Sequence, residues 1–222
     1  MQFKYELHTH TAEVSKCSNI TGAELVRFYK ECGYTGICIT DHFFNGNIIN
    51  MSEDLSWPEQ VELFCKGYEN AYQEGKKIGL DVFFGWEFAL KGHFLTFGLG
   101  REWLLDHPEI LDINIIEYFD LIHKDGGYII HAHPFRESDI IRLMPDKVDA
   151  IEVLNASRTD FANKMADIYA DNYNISKVGG SDNHAGQQQR LCGINSSVKF
   201  ENINEMIKNI NENKIDLYTN YL

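Results

Sequence analysis

The stretch Phe3-Lys4-Tyr5-Glu6-Leu7-His8-Thr9-His10-Thr11 is a short β-prone run that ends in two histidines one residue apart. Side chains alternate between faces along a strand, so His8 and His10 share a face, a spacing suited to gripping one metal ion. The same arrangement recurs down the chain. Gly36–Thr40 runs into Asp41-His42, Val82–Trp86 into Glu87, and Tyr128–Ala132 into His133-Pro134. Ala150–Leu154 leads to Asn155, and Lys177–Gly180 to Ser181-Asp182-Asn183-His184. His93 starts the run Phe94–Leu99, and Ala89-Leu90-Lys91-Gly92 before it reads as a hairpin turn that returns His93 to Glu87.

Helical patterns separate these runs. Thr21–Cys32 stops at Gly33, Trp57-Pro58 opens a helix towards Gly79, and Ile113–Lys124 precedes Gly126-Gly127. Thr159–Tyr173 carries Phe161, Met165, Ile168 and Tyr169 on one expected face, and Asn202–Asn213 reads as an amphipathic helix. Strands alternating with helices predict an α/β fold around a largely parallel sheet, as one domain over residues 1–222. In an α/β barrel the strand C-termini gather at one mouth, where catalytic residues collect. His8, His10, His42, His93, His131, His133 and His184 belong there; His107 and His123 fall in a loop and a helix as surface residues.

One histidine at a strand end is ordinarily a hydrogen-bonded polar residue. Its repetition beside Asp and Glu at several strand ends argues for ligation, and imidazole with carboxylate suits zinc, manganese or iron. His131 shares a face with His133, so one can ligate while the other supports it. Asp41 reads either as a ligand or as the partner of a ligating imidazole's other nitrogen. Gly179-Gly180 read as glycines for a tight backbone turn, and Asn155 as a pocket residue or a simple strand end.

Composition narrows the partners. The net charge of −13 argues against a grip on long duplex nucleic acid, yet bound cations can reverse the field inside a pocket. The five cysteines contain no CxxC pair, so neither a disulfide framework nor a Cys-rich zinc finger is expected. No apolar run reaches the roughly 18 residues needed to cross a membrane. The Met1–Glu6 segment lacks the layout of a secretory signal, which gives a cytoplasmic expectation. Nothing in the sequence sets an oligomeric state. There is no GxSxG elbow, and a glycosidase-like carboxylate pair leaves the histidines without a purpose.

In this order, Leu7-His8-Thr9-His10-Thr11, Ile39-Thr40-Asp41-His42, Gly85-Trp86-Glu87, Ala132-His133-Pro134 and Gly180-Ser181-Asp182-Asn183-His184 resemble the PHP (polymerase and histidinol phosphatase) family. The resemblance implies a distorted seven-stranded (β/α) barrel with a metal cluster at the C-terminal face of its strands. It implies His8, His10, Glu87 and Asp182 around one ion, and Glu87 bridging to a second held by His93 and His133. His42 and His184 would serve a third, whose last ligand is usually a His or Asp shortly after the first motif. Here Glu13 and Cys17 are the candidates, with Glu13 ahead.

The expected activity is hydrolysis of a small phosphorylated substrate, a nucleotide or short oligonucleotide end, by metal-activated water at two or three divalent ions. Glu87 and Asp182 are the expected catalytic carboxylates, and Arg136 the phosphate clamp, with Arg158 and Arg190 as weaker candidates. The alternatives are a histidinol-phosphate phosphatase, an amidohydrolase-like C–N hydrolase, and a metal-binding module without catalysis.

Overall fold

The computed structural model describes residues 2–49, 54–136 and 143–222. Strands β1 (Phe3–Glu6), β2 (Gly36–Ile39) and β3 (Asp81–Phe84) run parallel, and β4 (Trp86–Ala89) and β5 (His93–Phe97) form a hairpin. Strands β6 (Tyr128–Ala132), β7 (Ala150–Asn155) and β8 (Ser176–Gly180) are again parallel, and β9 (Arg190–Ser196) and β10 (Ile215–Tyr221) complete the set. The order is β10-β9-β1-β2-β3 in one sheet and β4-β5-β6-β7-β8 in the other.

The strands thus form two five-stranded sheets within a mixed α/β fold, and the named ladders do not close on themselves among the described residues. The run expected over Val82–Trp86 breaks at Gly85, and the strands on either side lie in different sheets. A Cβ on Gly85 would stand 2.6 Å from the Phe97 ring and 2.8 Å from the Thr96 carbonyl oxygen, so only glycine lets the backbone cross there. Single bridges Thr9–Asn183 and His42–Glu87 lace the sheets at their ends. Glu6 adds a tie: it accepts from the backbone N–H of His8 and of Ser181, each at 2.8 Å.

Helix α1 (Gly22–Glu31) begins in a capping box between Thr21 and Glu24. The helix expected from Trp57 to Gly79 is two, α2 (Trp57–Phe64) and α3 (Lys66–Ile78), jointed at Cys65. The short α4 (Arg101–Asp106) was not expected, whereas α5 (Ile115–Lys124) and α7 (Ile203–Asn211) fall where their patterns place them. Helix α6 (Asp160–Tyr173) buries only part of the face its pattern marks, Tyr169 but not Phe161 or Ile168. Ala162, Asn163, Ala166, Tyr169 and Ala170 are its buried residues, while Phe161 is 73% exposed and Ile168 43% exposed. The alanines let α6 lie close on β7, and the Asn163 amide hydrogen-bonds both the N–H and the carbonyl of Asn155 at 3.0 Å.

An aromatic core underlies the β4–β5 hairpin. Trp86 donates from its indole to the Tyr118 hydroxyl at 2.8 Å, and Phe88 stacks on the Tyr118 ring. Each such fully buried side chain contributes about 1.5–3 kcal/mol by leaving water. No described helix is long and apolar enough to cross a membrane.

Candidate metal centre

Thr9 explains why His8 and His10 face the same way. Its hydroxyl donates to the Cys38 carbonyl at 2.7 Å, and its N–H to the Thr40 hydroxyl at 3.0 Å, on the β2 side. The two imidazoles therefore project together, with their Nε2 atoms 3.1 Å apart. Each ring is oriented through its other nitrogen: His8 Nδ1 lies 2.9 Å from Glu152 Oε1, and His10 Nδ1 3.2 Å from the Ser15 hydroxyl. Such partners fix tautomer and ring angle in metal-binding histidines.

Glu87 is the hub. Its Oε1 is 2.8 Å from His93 Nδ1, 3.3 Å from His133 Nε2 and 3.4 Å from His8 Nε2. Its Oε2 is 2.6 Å from His42 Nδ1 and 3.7 Å from His10 Nε2. The turn at Lys91 and Gly92, both with positive φ, closes the hairpin that pairs Ala89 with His93 and so returns His93 to Glu87. Asp182, itself at φ 53, puts Oδ1 3.5 Å from both His8 Nε2 and His10 Nε2. His184 Nδ1 lies 3.5 Å from the same oxygen.

Possible ligand atoms gather within 4.8 Å of one another in four overlapping sets: His8–His10–Asp182, His8–His133–Glu152, Glu87–His93–His133 and His10–His42–His184. The structure thus brings together His8, His10, His42, Glu87, His93, His133, Asp182 and His184. It does not bring in Glu13, whose carboxylate accepts from Gly22 N at 3.0 Å and Asn70 Nδ2 at 2.9 Å. That residue is turned to the start of α1, where the first helical N–H groups attract an anion. Cys17 stands at the cluster instead, with Sγ 3.2 Å from His42 Nε2.

Other expectations resolve as clearly. His131 packs against the Phe94 ring and outside these sets, and burial pushes its pKa down to about 3. Asp41 acts through Ser15: it accepts from the Ser15 hydroxyl at 2.7 Å, and Ser15 meets His10. Asn155 donates to Glu152 Oε2 at 2.8 Å. Gly180 serves close approach, not a tight turn: a Cβ there would meet Glu152 Oε1 at 2.5 Å and the His8 Cβ at 2.6 Å. His107 and His123 pair with Glu109 and Asp149, away from the cluster. Arg190 pairs with Asp160 at 2.9 Å and is not at the pocket, whereas Arg136 and Arg158 line it.

Glu152 is the functional residue that the sequence reading missed. It is buried and receives three bonds, from His8, from the His133 N–H at 2.8 Å and from Asn155. Its signal was a charge in the middle of the apolar run Ala150–Leu154, since carboxylates are almost never fully buried unless paired.

The electrostatics suit cations. Burial alone would raise the Glu87 and Asp182 carboxyls, but the imidazoles around them hold both well below the usual range. Burial opposes charge on His8, yet Glu152 and Asp182 keep its pKa well above the ordinary imidazole value. His42 follows the same logic: burial lowers it, while Cys17 and Glu87 push it up to about 10. For His10, burial and the neighbouring His42 act together and lower it. His42 Nδ1 and Glu87 Oε2 approach to 2.6 Å, yet both are buried without an aligned hydrogen bond. Two facing donor atoms of that kind fit shared attraction to a cation better than a hydrogen bond of their own. The residues present fit divalent metal ions.

The PHP domain family model matches residues 6–171, and the chain belongs to that family. No curated protein matches it. Among solved structures, a two-domain protein from Bacteroides vulgatus, described as containing a predicted PHP-like metal-dependent phosphoesterase, superposes with a TM-score of 0.74 at 15% identity. That comparison covers 98% of this chain and 65% of the other. The lesion-specific endonuclease EndoQ of Pyrococcus furiosus gives 0.67 at 16% identity, covering 98% and 58%. An amidohydrolase from Chromobacterium violaceum, with bound sulfate and no metal, gives 0.57 at 14% identity, covering 96% and 97%. The chain thus spans under two thirds of the first two proteins, and at these identities the likeness is one of fold.

A pH dependence follows from the shifts of His8 and His42. Both pKa values are raised, so in the metal-free protein both rings hold a proton at neutral pH, which an incoming ion must displace. Metal uptake at about pH 7.5 is expected to release protons, and affinity to fall at least about tenfold per pH unit down to about pH 5.5. Competition titrations with a chelator across that range check this; a flat affinity would exclude imidazole ligation.

Proposed function

We propose that this chain is a metal-dependent phosphoesterase that removes a terminal phosphate from a nucleotide or a short oligonucleotide end, with residues 1–222 acting as one metallohydrolase domain. The observation that carries this reading is the pairing of two arginines with the carboxylate–imidazole cluster in one cavity of about 500 Å³. Arg136 Nη1 lies 3.5 Å from His93 Nε2, and Arg158 Nη2 lies 3.1 Å from Asp182 Oδ2. A guanidinium fork matches phosphate oxygens, and an amide or lactone has no use for two of them.

His8, His10, Glu87 and Asp182 would hold one ion, Glu87, His93 and His133 a second, and His42 with His184 a third; zinc, manganese and iron suit these donors. Bound divalent ions supply Lewis acidity, which polarises phosphoryl oxygens and makes nearby water a nucleophile at neutral pH. The protein's part is positioning. Glu87 sets the spacing through two oxygens that face different imidazoles. Glu152 and Ser15 hold His8 and His10 in one tautomer each. Arg158 keeps Asp182 in place and, with Arg136, receives the charge of the phosphate. The chain as a whole carries −13, so a long polyanion is repelled while a single phosphate end is drawn to the cavity.

Metal-loaded protein assayed on phosphomonoesters, a mononucleotide, a 5′-phosphorylated short oligonucleotide, histidinol phosphate, amides and lactones tests the reading. Turnover of histidinol phosphate alone would move it to that phosphatase branch, and turnover of amides alone to C–N hydrolysis. Internal cleavage of duplex DNA would put it with the endonuclease neighbour, and full metal content without any turnover would make it a binding module. Arg136→Ala is expected to lower kcat/KM about 10–100-fold, through KM if the contact is equal in ground and transition states. An unchanged kcat/KM would take Arg136 out of the site.

A further inference from the structure

We infer that Cys17 supplies a thiolate to the ion held by His42 and His184, giving the centre one soft position beside harder ones; this rests on the metal-centre reading above. The usual residue in that role is His or Asp, and the loop after the first motif offers Glu13 as its only carboxylate. Glu13 is committed to Gly22 and Asn70 on the far side of the loop. Sulfur is what remains at the cluster.

The cysteine does not stand there alone. It stands beside a group in which nitrogens of His10, His42 and His184 lie within 4.8 Å of one another, its sulfur 3.2 Å from His42 Nε2, and it lines the same cavity as His42 and His184. His42 is 7% exposed and has its Nδ1 without a hydrogen-bond partner, while its Nε2 faces the sulfur.

The loop is also built to keep the sulfur in place. Ser15 N donates to the Thr11 carbonyl at 2.8 Å, and Lys16 N to the Asn47 carbonyl at 2.9 Å. Beyond the cysteine, Asn19 N donates to the carbonyl of His184 at 2.8 Å. The Ser18 hydroxyl donates to the carbonyls of His10 at 3.0 Å and His184 at 3.1 Å. The residues on either side of Cys17 are thus tied to the segments that carry the other donors. A surface cysteine needs no such anchoring.

The chemical consequence is selectivity. Thiolate ligands favour zinc and other soft ions, whereas carboxylate-rich positions also accept manganese. The site formed by His42, His184 and Cys17 should therefore retain zinc when manganese fills the others.

The test uses the full chain, stripped of metal and titrated with cobalt(II). The expected result is a thiolate-to-cobalt charge-transfer band in the near ultraviolet, present in the wild type and absent in Cys17→Asp, which binds the same number of ions. Cys17→Ala should bind one ion per chain roughly tenfold or more weaker. Cys17 is the only exposed cysteine, so iodoacetamide should alkylate it in the stripped protein and spare it after loading. Full cobalt uptake without the band, or alkylation of Cys17 indifferent to loading, overturns the inference and leaves the metal centre standing. Failure to bind cobalt at all overturns both.

Discussion

Glu87→Gln is expected to lower kcat/KM on the order of 10³-fold or more, about 4 kcal/mol of transition-state stabilisation, while the protein remains folded. The carboxylate is 1% exposed and faces four imidazoles from three strand ends and a hairpin, at 2.6 to 3.4 Å. Glutamine keeps the shape and the packing against the aromatic core. It removes the charge, however, and one of its two ends becomes an N–H donor that cannot bind a cation. The two sets of imidazoles then lose the anion that sets their separation. Circular dichroism and thermal melting of metal-free protein should show a native fold, while elemental analysis shows fewer ions per chain. A fully metallated variant with undiminished turnover would remove Glu87 from its bridging role.

Glu152→Ala should act on affinity and stability together. It strips acceptors from the His8 ring, from the His133 N–H and from the Asn155 amide, all of them buried. Loss of a residue that orients a ligating histidine typically costs 10–100-fold in metal affinity. Breaking a buried ion pair costs about 3–5 kcal/mol of folding stability, because the remaining partner is left uncompensated. Chelator competition and denaturant unfolding of the metal-free protein measure the two effects separately. Unaltered metal affinity in a folded Glu152→Ala protein would mean that His8 needs no partner at Nδ1.

What the sequence made legible, and what it hid, divides along physical lines. The residues that gather at the candidate metal centre were readable because strand period and chemistry point the same way: His8 and His10 two apart, and Asp182 followed by His184. The hairpin was readable from Leu90-Lys91-Gly92, and it carried the assignment of His93. Ser15 and Glu152 were harder to see, since a supporting residue is defined by what it touches, and Glu152 meets His8 from far along the chain. The orientations of Glu13 and Cys17 depend on which way a short loop rotates, and hydrogen bonds from Gly22 and Asn70 hold Glu13 away from the cluster.

Faces and edges were hidden for a different reason. On α6 the large apolar residues suggested the buried side, yet close packing on β7 required the alanines there. Strand β9 carries Gly193 at φ 153 in its middle, so it lacks the unbroken apolar run seen in Ile37–Ile39 of β2 or Tyr128–Ile130 of β6. Strand β10 sits at a sheet edge with much of its surface exposed, and its composition is correspondingly mixed.

The pairing of β1 with β9 sets a schedule for the growing chain. Tyr5 lies beside Ile194, and its hydroxyl accepts from the N–H of Phe200, 195 residues away. The tie from Glu6 to Ser181 spans 175 residues. During synthesis the first strand, with His8 and His10 at its tip, has to wait for the distant segments around Asp182 and Ile194 before its second edge is covered and Asp182 arrives. Contacts so remote in sequence slow folding, because the loop must be closed before the contacts repay it. The centre is therefore assembled late, and until then an uncovered β1 edge and unpaired imidazoles are open to wrong partners and stray ions.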